Sequence, residues 1–135
     1  MKLRFGNLTK SRIGKGAFRK AVYACDSLLT LKYAGVSLVI AGKGRMRTIN
    51  RTYRGIDKAT DVLSFPLWKG KLERDTFLGE IFICPSLLPH DMTKSQGLQF
   101  LFIHGVLHLL GYDHITDKEY TKMRKWEKAL FSLCL

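Results

Sequence analysis

Cysteine is too sparse here to build anything. Cys25, Cys84 and Cys134 are odd in number, far apart, and never paired as C-x-x-C. That excludes a disulfide framework and a cysteine zinc site, and it suits reduced, buried thiols in a cytoplasmic protein. Long apolar runs are missing as well. The most apolar stretch, Leu98 to Leu110, falls short of the ~20 residues a bilayer span requires and contains two histidines. No apolar segment follows the basic start at Arg4, so no signal peptide is expected. Repeats, low-complexity segments and interdomain linkers are absent, and residues 1–135 read as one domain. Acids are scarce: 11 Asp and Glu stand against 23 Lys and Arg, a formal net charge of +12. An excess this large on a small domain favours a polyanionic partner, whether RNA, DNA or an anionic membrane surface.

Histidine is also rare, which makes its placement informative. Three of the four histidines fall within residues 104–114. His104 and His108 lie in a run that reads as helix, so they sit about 40° apart on one face, one turn above the other. Gly111 follows where a helix would end in the left-handed region, and the turn can return His114 to the same side. Three neutral imidazoles suit Zn²⁺ and leave a fourth position open for water, the mark of a catalytic rather than a structural site. A lone histidine on an apolar face would be better read as core packing. The spacing H-x3-H-x5-H with glycine at the turn follows the logic of zincins instead. One departure matters: H-E-x-x-H peptidases carry their general base directly after the first histidine, and that position is Gly105 here.

Residues 104–114, His-Gly-Val-Leu-His-Leu-Leu-Gly-Tyr-Asp-His, resemble the H-G-x-L-H-L-x-G-Y-D-H motif of the YbeY family, bacterial endoribonucleases of rRNA maturation. Upstream, Asn50, Tyr53 and Arg54 are similar to its L-N-x-x-Y-R stretch, with Ile49 in place of leucine. Thr60 to Pro66 resembles T-(D/N)-V-L-S-F-P, and Gly79-Glu80-Ile81 resembles G-(D/E)-I. The resemblance implies a metal-dependent endoribonuclease specific for single strands. Its substrate would be an rRNA precursor, with roles in maturing the 16S 3′ end and in ribosome quality control. RNA and the ribosome or its small subunit would be partners, with no membrane and no small-molecule cofactor. It also makes Arg54 the best-supported catalytic residue beyond the metal ligands, and it implies a four-stranded sheet whose edge strand borders the metal cleft.

The remaining pattern gives an α+β fold, a small mixed sheet packed with helices, with a zincin-like metal-binding helix at its centre. Met1 to Leu8 reads as an edge strand. Ala17 to Tyr33 reads as an amphipathic helix closed by Gly35, with Phe18, Ala21, Val22, Cys25, Leu28 and Leu29 on its apolar face. Val36 to Ala41, Thr60 to Phe65 and Phe77 to Cys84 read as strands, the first buried and the second a further central strand. His90 lies in a connection and reads as an exposed loop histidine. Gln96 to Leu110 is apolar on nearly every side and is expected to be the buried helix. Thr116-Asp117-Lys118-Glu119 is a capping box. It opens a last helix running to about Leu133, with Tyr120, Met123, Trp126, Ala129, Leu130 and Leu133 facing the core. In the helix expected over Arg45 to Arg54, Arg47, Arg51 and Arg54, followed by Lys58, form a basic stripe without interleaved acids, suited to phosphate.

Zn²⁺ held by His104, His108 and His114 would activate water and polarise a phosphoryl oxygen, while Arg54 stabilises phosphate charge. Ser64 and Glu80 are placed in the cleft. Asp113 stands either to orient an imidazole or to cap the turn. The proton acceptor is open: Glu80, no separate carboxylate at all, or a 2′-hydroxyl of the RNA acting as nucleophile. Two other readings compete with the nuclease. One is a metallopeptidase-like zinc hydrolase, which Gly105 and the +12 charge oppose. The other is a non-catalytic RNA- or ribosome-binding module stabilised by its metal.

Overall fold

Strands separated by helices pair in parallel here, and one hairpin adds an antiparallel edge. The computed structural model describes residues 1–135. The chain order is β1 (Lys2–Asn7), a 3₁₀ turn (Lys15–Phe18), α1 (Arg19–Leu29), β2 (Gly35–Ile40), α2 (Lys43–Arg54), β3 (Val62–Pro66), β4 (Phe77–Ile83), a second 3₁₀ turn (Pro85–Leu87), α3 (Lys94–Leu109) and α4 (Asp117–Ser132). The sheet order is β1-β2-β4-β3. β1, β2 and β4 run parallel, and β3 is antiparallel to β4. This is the expected α+β fold with a four-stranded mixed sheet. One place in the sheet differs from expectation. β3 lies on the edge rather than in the centre, and β4 takes the inner place beside β2. An edge accommodates Pro66, which has no N–H to donate.

α3 is buried on nearly all sides, as its composition requires: ten of its sixteen residues are buried. It starts at Lys94, two residues before the expected start, because Thr93 caps it. The Thr93 hydroxyl accepts from the Gln96 N–H at 3.1 Å, and the Gln96 side chain accepts from the Thr93 N–H at 3.1 Å. Phe102 meets Phe18 edge-on at 5.7 Å, joining α3 to the turn before α1. Val36, Leu38, Ile40, Ile81 and Ile83 supply the sheet side of this core. α2 covers the opposite face through Met46, with Leu63, Phe65 and Phe82 beneath it.

Two helices end or face differently from their sequence pattern. α1 stops at Leu29 rather than Tyr33, with Thr30 in the left-handed region at φ 53°. The early stop lets Leu31 and Ala34 drop into the core, and it leaves Leu28 exposed. Gly35 opens β2 instead of closing the helix. In α4 the inward residues are Met123, Glu127 and Leu130, followed by Cys134 just beyond the helix. Tyr120 and Leu133 are exposed. Thr116 caps the helix, accepting from the Glu119 N–H at 3.1 Å, which is one half of the expected capping box.

α3 approaches the sheet most closely at Gly105. A methyl group there would stand 2.9 Å from Ile81 Cγ2, 3.0 Å from Ile81 Cδ1 and 3.1 Å from Ser64 Oγ. The hydrogen of glycine is what lets the helix seat against β3 and β4. Gly105→Ala is therefore expected to destabilise the protein by about 1–3 kcal/mol through overpacking. Thermal unfolding should show the midpoint several degrees lower, and an unchanged midpoint would mean the contact is slack.

Candidate active site between the buried helix and the edge strand

His104 and His108 project from α3 into an open cleft of about 630 Å³ beside β3. The helix ends in a Schellman motif. Gly111 adopts φ 97°, its N–H donates to the His108 carbonyl at 3.0 Å, and the Tyr112 N–H donates to the Leu107 carbonyl at 3.0 Å. This turn returns His114 to the first two rings. Ring centroids are 4.6 Å apart for His104 and His108, 5.2 Å for His108 and His114, and 5.9 Å for His104 and His114. The Nε2 atoms of His104 and His108 are 3.0 Å apart.

The three rings are neighbours, yet no group of three His, Cys, Asp or Glu side chains is arranged as a formed metal-ligand set. Their chemistry fits an ion all the same. Tetrahedral bonds of 2.0–2.1 Å put ligand nitrogens about 3.3–3.4 Å apart, so the His104–His108 pair needs to open only by tenths of an ångström. Burial lowers the His108 pKa from 6.5, aided by repulsion from His104 and His114 and opposed by Asp113 and a backbone hydrogen bond at Tyr112. A neutral ring keeps a lone pair available to a cation.

Arg54, the last residue of α2, reaches the cleft from the other side of β3. Its Nη2 donates to the Ser64 carbonyl at 2.7 Å, and its guanidinium carbon is 5.4 Å from the centre of the Phe65 ring. Ser64 lines the same cleft and is buried against α3. Asp113 Oδ1 accepts from the His114 N–H at 2.7 Å and lies 3.4 Å from His114 Nδ1.

Glu80 does not belong to the cleft. It pairs with Phe65 across the β3–β4 ladder, while the cleft residue Ser64 pairs with Ile81. Alternation along the strands therefore turns Glu80 to the α2 face. The basic stripe also differs from expectation. Arg47 grips Asp57 with two hydrogen bonds, of 2.7 and 3.0 Å, and Arg51 lies 3.7 Å from the same carboxylate. The acid comes from the loop after α2, so the spacing within the helix could not reveal it. Lys58 lies in that loop, beyond the helix end.

Two contributors were not singled out from the sequence. Glu127 on α4 is only 7% exposed, and its Oε2 lies 3.3 Å from His104 Nδ1. Its signal was there to be found: an acid on the same helical face as Met123 and Leu130. Trp68, in the loop after β3, donates from Nε1 to the Leu109 carbonyl at 2.7 Å and pins the end of α3.

The family model described as endoribonuclease YbeY matches residues 8–134. An endoribonuclease YbeY from Thermodesulfovibrio yellowstonii is 40% identical over 103 residues, covering 72% of this chain and 65% of that protein. The endoribonuclease YbeY of Desulfitobacterium hafniense is 37% identical over 111 residues, covering 73% and 71%. That of Sulfurimonas denitrificans is 48% identical over 88 residues, covering 61% and 60%. The chain thus spans less than two thirds of the length of the first and third of these relatives. The solution structure of a Thermotoga maritima protein matches with a TM-score of 0.61 at 23% identity, covering 96% of this chain and 89% of that one. That likeness shows a shared fold.

The half-buried position of His108 has a pH consequence. Its folded pKa lies below the unfolded value, so the ring contributes stability that is present above pH 6.5 and is lost as pH falls through the folded pKa. In metal-free protein, NMR should show His108 titrating with a midpoint below 6.5. Denaturant unfolding should weaken on acidification, and less so in His108→Phe. A His108 midpoint at or above the model-peptide value would contradict this.

Proposed function

The chain belongs to the YbeY endoribonuclease family, and from that premise we propose that it is a metal-dependent endoribonuclease cutting single-stranded RNA in rRNA precursors. One observation carries the reading: three imidazoles and the Arg54 guanidinium converge on a single cleft. His104, His108 and His114 would hold the metal. Bound there, Zn²⁺ would lower the pKa of water in its open position and polarise a phosphoryl oxygen.

The chain's own residues handle the substrate. Arg54 spends one N–H on the Ser64 carbonyl, which fixes the guanidinium and leaves its other donors for a phosphate oxygen. A fixed cation beside the scissile phosphate stabilises charge as it develops. The cleft of about 630 Å³ has the size of a small-ligand pocket, room for a nucleotide or two of one strand. The +12 charge attracts the backbone from a distance. With Gly105 hard against Ile81 and Glu80 on the far face, neither of those positions supplies a carboxylate base. Water and the 2′-hydroxyl of the RNA are the remaining nucleophiles, and a 2′,3′-cyclic phosphate among the products would identify the second.

The crowding at Gly105 also counts against a peptidase of the H-E-x-x-H kind, since a glutamate side chain has no room there. The same reading assigns the protein to the cytoplasm and the small ribosomal subunit, with maturation of the 16S 3′ end and ribosome quality control as its setting. No helix is long and apolar enough to cross a membrane.

Purified protein should cleave single-stranded rRNA, and a chelator or His108→Ala should abolish cleavage. Arg54→Ala should retain metal while cleavage falls by about 10²–10³-fold, the usual loss when one charge-stabilising donor is removed. RNA bound but never cut would favour a non-catalytic binding module, and cleaved casein a peptidase. Affinity for single strands should fall with salt at a slope near −0.7 per phosphate neutralised.

A further inference from the structure

α4 carries three acids, and two of them, Asp117 and Glu119, sit in its first turn where they favour the helix dipole. The third, Glu127, is on the inward face between Met123 and Leu130, and it is buried. A buried carboxylate is costly unless something nearby needs it. Its single polar partner is His104, whose Nδ1 lies 3.3 Å from Oε2, and no lysine or arginine neutralises it. The other nitrogen of His104, Nε2, is the one aimed at His108 and the cleft.

We propose that Glu127 is a positioning residue for the metal site, holding the Nδ1–H of His104 so that the Nε2 lone pair is presented to the cleft. The inference rests on the metal reading above. An imidazole has two tautomers, and only the one protonated at Nδ1 can ligate through Nε2. The carboxylate accepts that proton's hydrogen bond, so it selects the tautomer and fixes the rotation of the ring about its bond to Cβ. Asp113 stands in a similar relation to His114, 3.4 Å from its Nδ1, but it is a half-buried neighbour in the turn. Glu127 comes instead from a separate helix, 23 residues away in sequence. Docking of α4 on α3 and metal affinity are thereby linked: metal bound to an ordered His104 favours the docked helix, and an undocked α4 leaves His104 free to change tautomer.

The test compares the full chain with Glu127→Gln and Glu127→Leu, each purified without a nickel column. Zn²⁺ affinity is read by competition with a chromophoric chelator, and the stability of each metal-free protein by thermal unfolding. Glu127→Leu should bind Zn²⁺ about 10–100-fold more weakly, the usual effect of losing a partner behind a ligating histidine. Its metal-free form should melt no lower than the native chain, because an apolar side chain replaces a buried charge. Glu127→Gln keeps an acceptor oxygen and should lie between the two. Long-range ¹H–¹⁵N spectra should show His104 protonated at Nδ1 in the native chain and mixed in Glu127→Leu. Native Zn²⁺ affinity in Glu127→Leu would overturn the proposal. So would parallel losses of affinity and metal-free stability in both variants, which would mark a purely structural role. A native chain that takes up no Zn²⁺ would overturn the metal reading and this inference with it, whereas the first two outcomes leave the metal reading standing.

Discussion

Two imidazoles one helical turn apart can serve one ion only if the helix bearing them cannot roll. Everything around α3 resists such a roll. Ten of its own residues are buried, so any rotation would expose apolar surface on one side and crowd it on another. Gly105 presses against Ile81 and Ser64 with no space for a methyl group. Trp68 holds the C-terminal carbonyl of Leu109. The histidine pair is rigid because the core is rigid.

The cleft forms where that core meets the edge of the sheet. β3 shows one face to α3 and the other to α2, and residues of both connections meet along it. Ser64 illustrates the arrangement. Its side chain packs toward α3, and its carbonyl receives the guanidinium of Arg54 from the end of α2. A single strand residue thus sets the distance between the cationic arm and the imidazoles. An edge position is required for this, since an inner strand would be covered on both sides. The hairpin that carries β3 out to the edge is therefore part of the site, although it contributes few polar side chains.

Charge is paired in some places and left free in others. Arg47 and Arg51 are tied to Asp57, whose carboxyl the Arg47 hydrogen bonds hold below its usual range. Such an exposed pair adds little to stability. It does leave Arg54, the third arginine of the series, as the one directed into the cleft. On α4 the outer face carries Lys118, Lys122, Lys125 and Lys128, while its one inward acid meets His104. Beyond the exposed Asp117 and Glu119 of its first turn, the helix is basic toward solvent, and its one buried acid, Glu127, lies against a ring nitrogen.

The amino-acid order alone determined whatever depends on local spacing. The i, i+4 pair His104–His108, the glycine that ends their helix, the return of His114, the Thr116 cap and the α+β alternation all follow from a few consecutive residues. Each is governed by the 3.6-residue period or by the conformation one residue prefers. Tertiary structure decided what depends on partners distant in the chain. Glu80 looked like a cleft residue until the β3–β4 register turned it to the opposite face. Arg47 and Arg51 looked unpaired until the loop brought Asp57 to them. Leu28 fitted an apolar stripe, but the chain ended α1 early to bury Leu31. Glu127 looked like one charge among many on a basic helix until the docking of α4 placed it behind His104. Periodicity is written into neighbouring residues, whereas register, helix docking and strand order come from burial summed over the whole chain, which no local window contains.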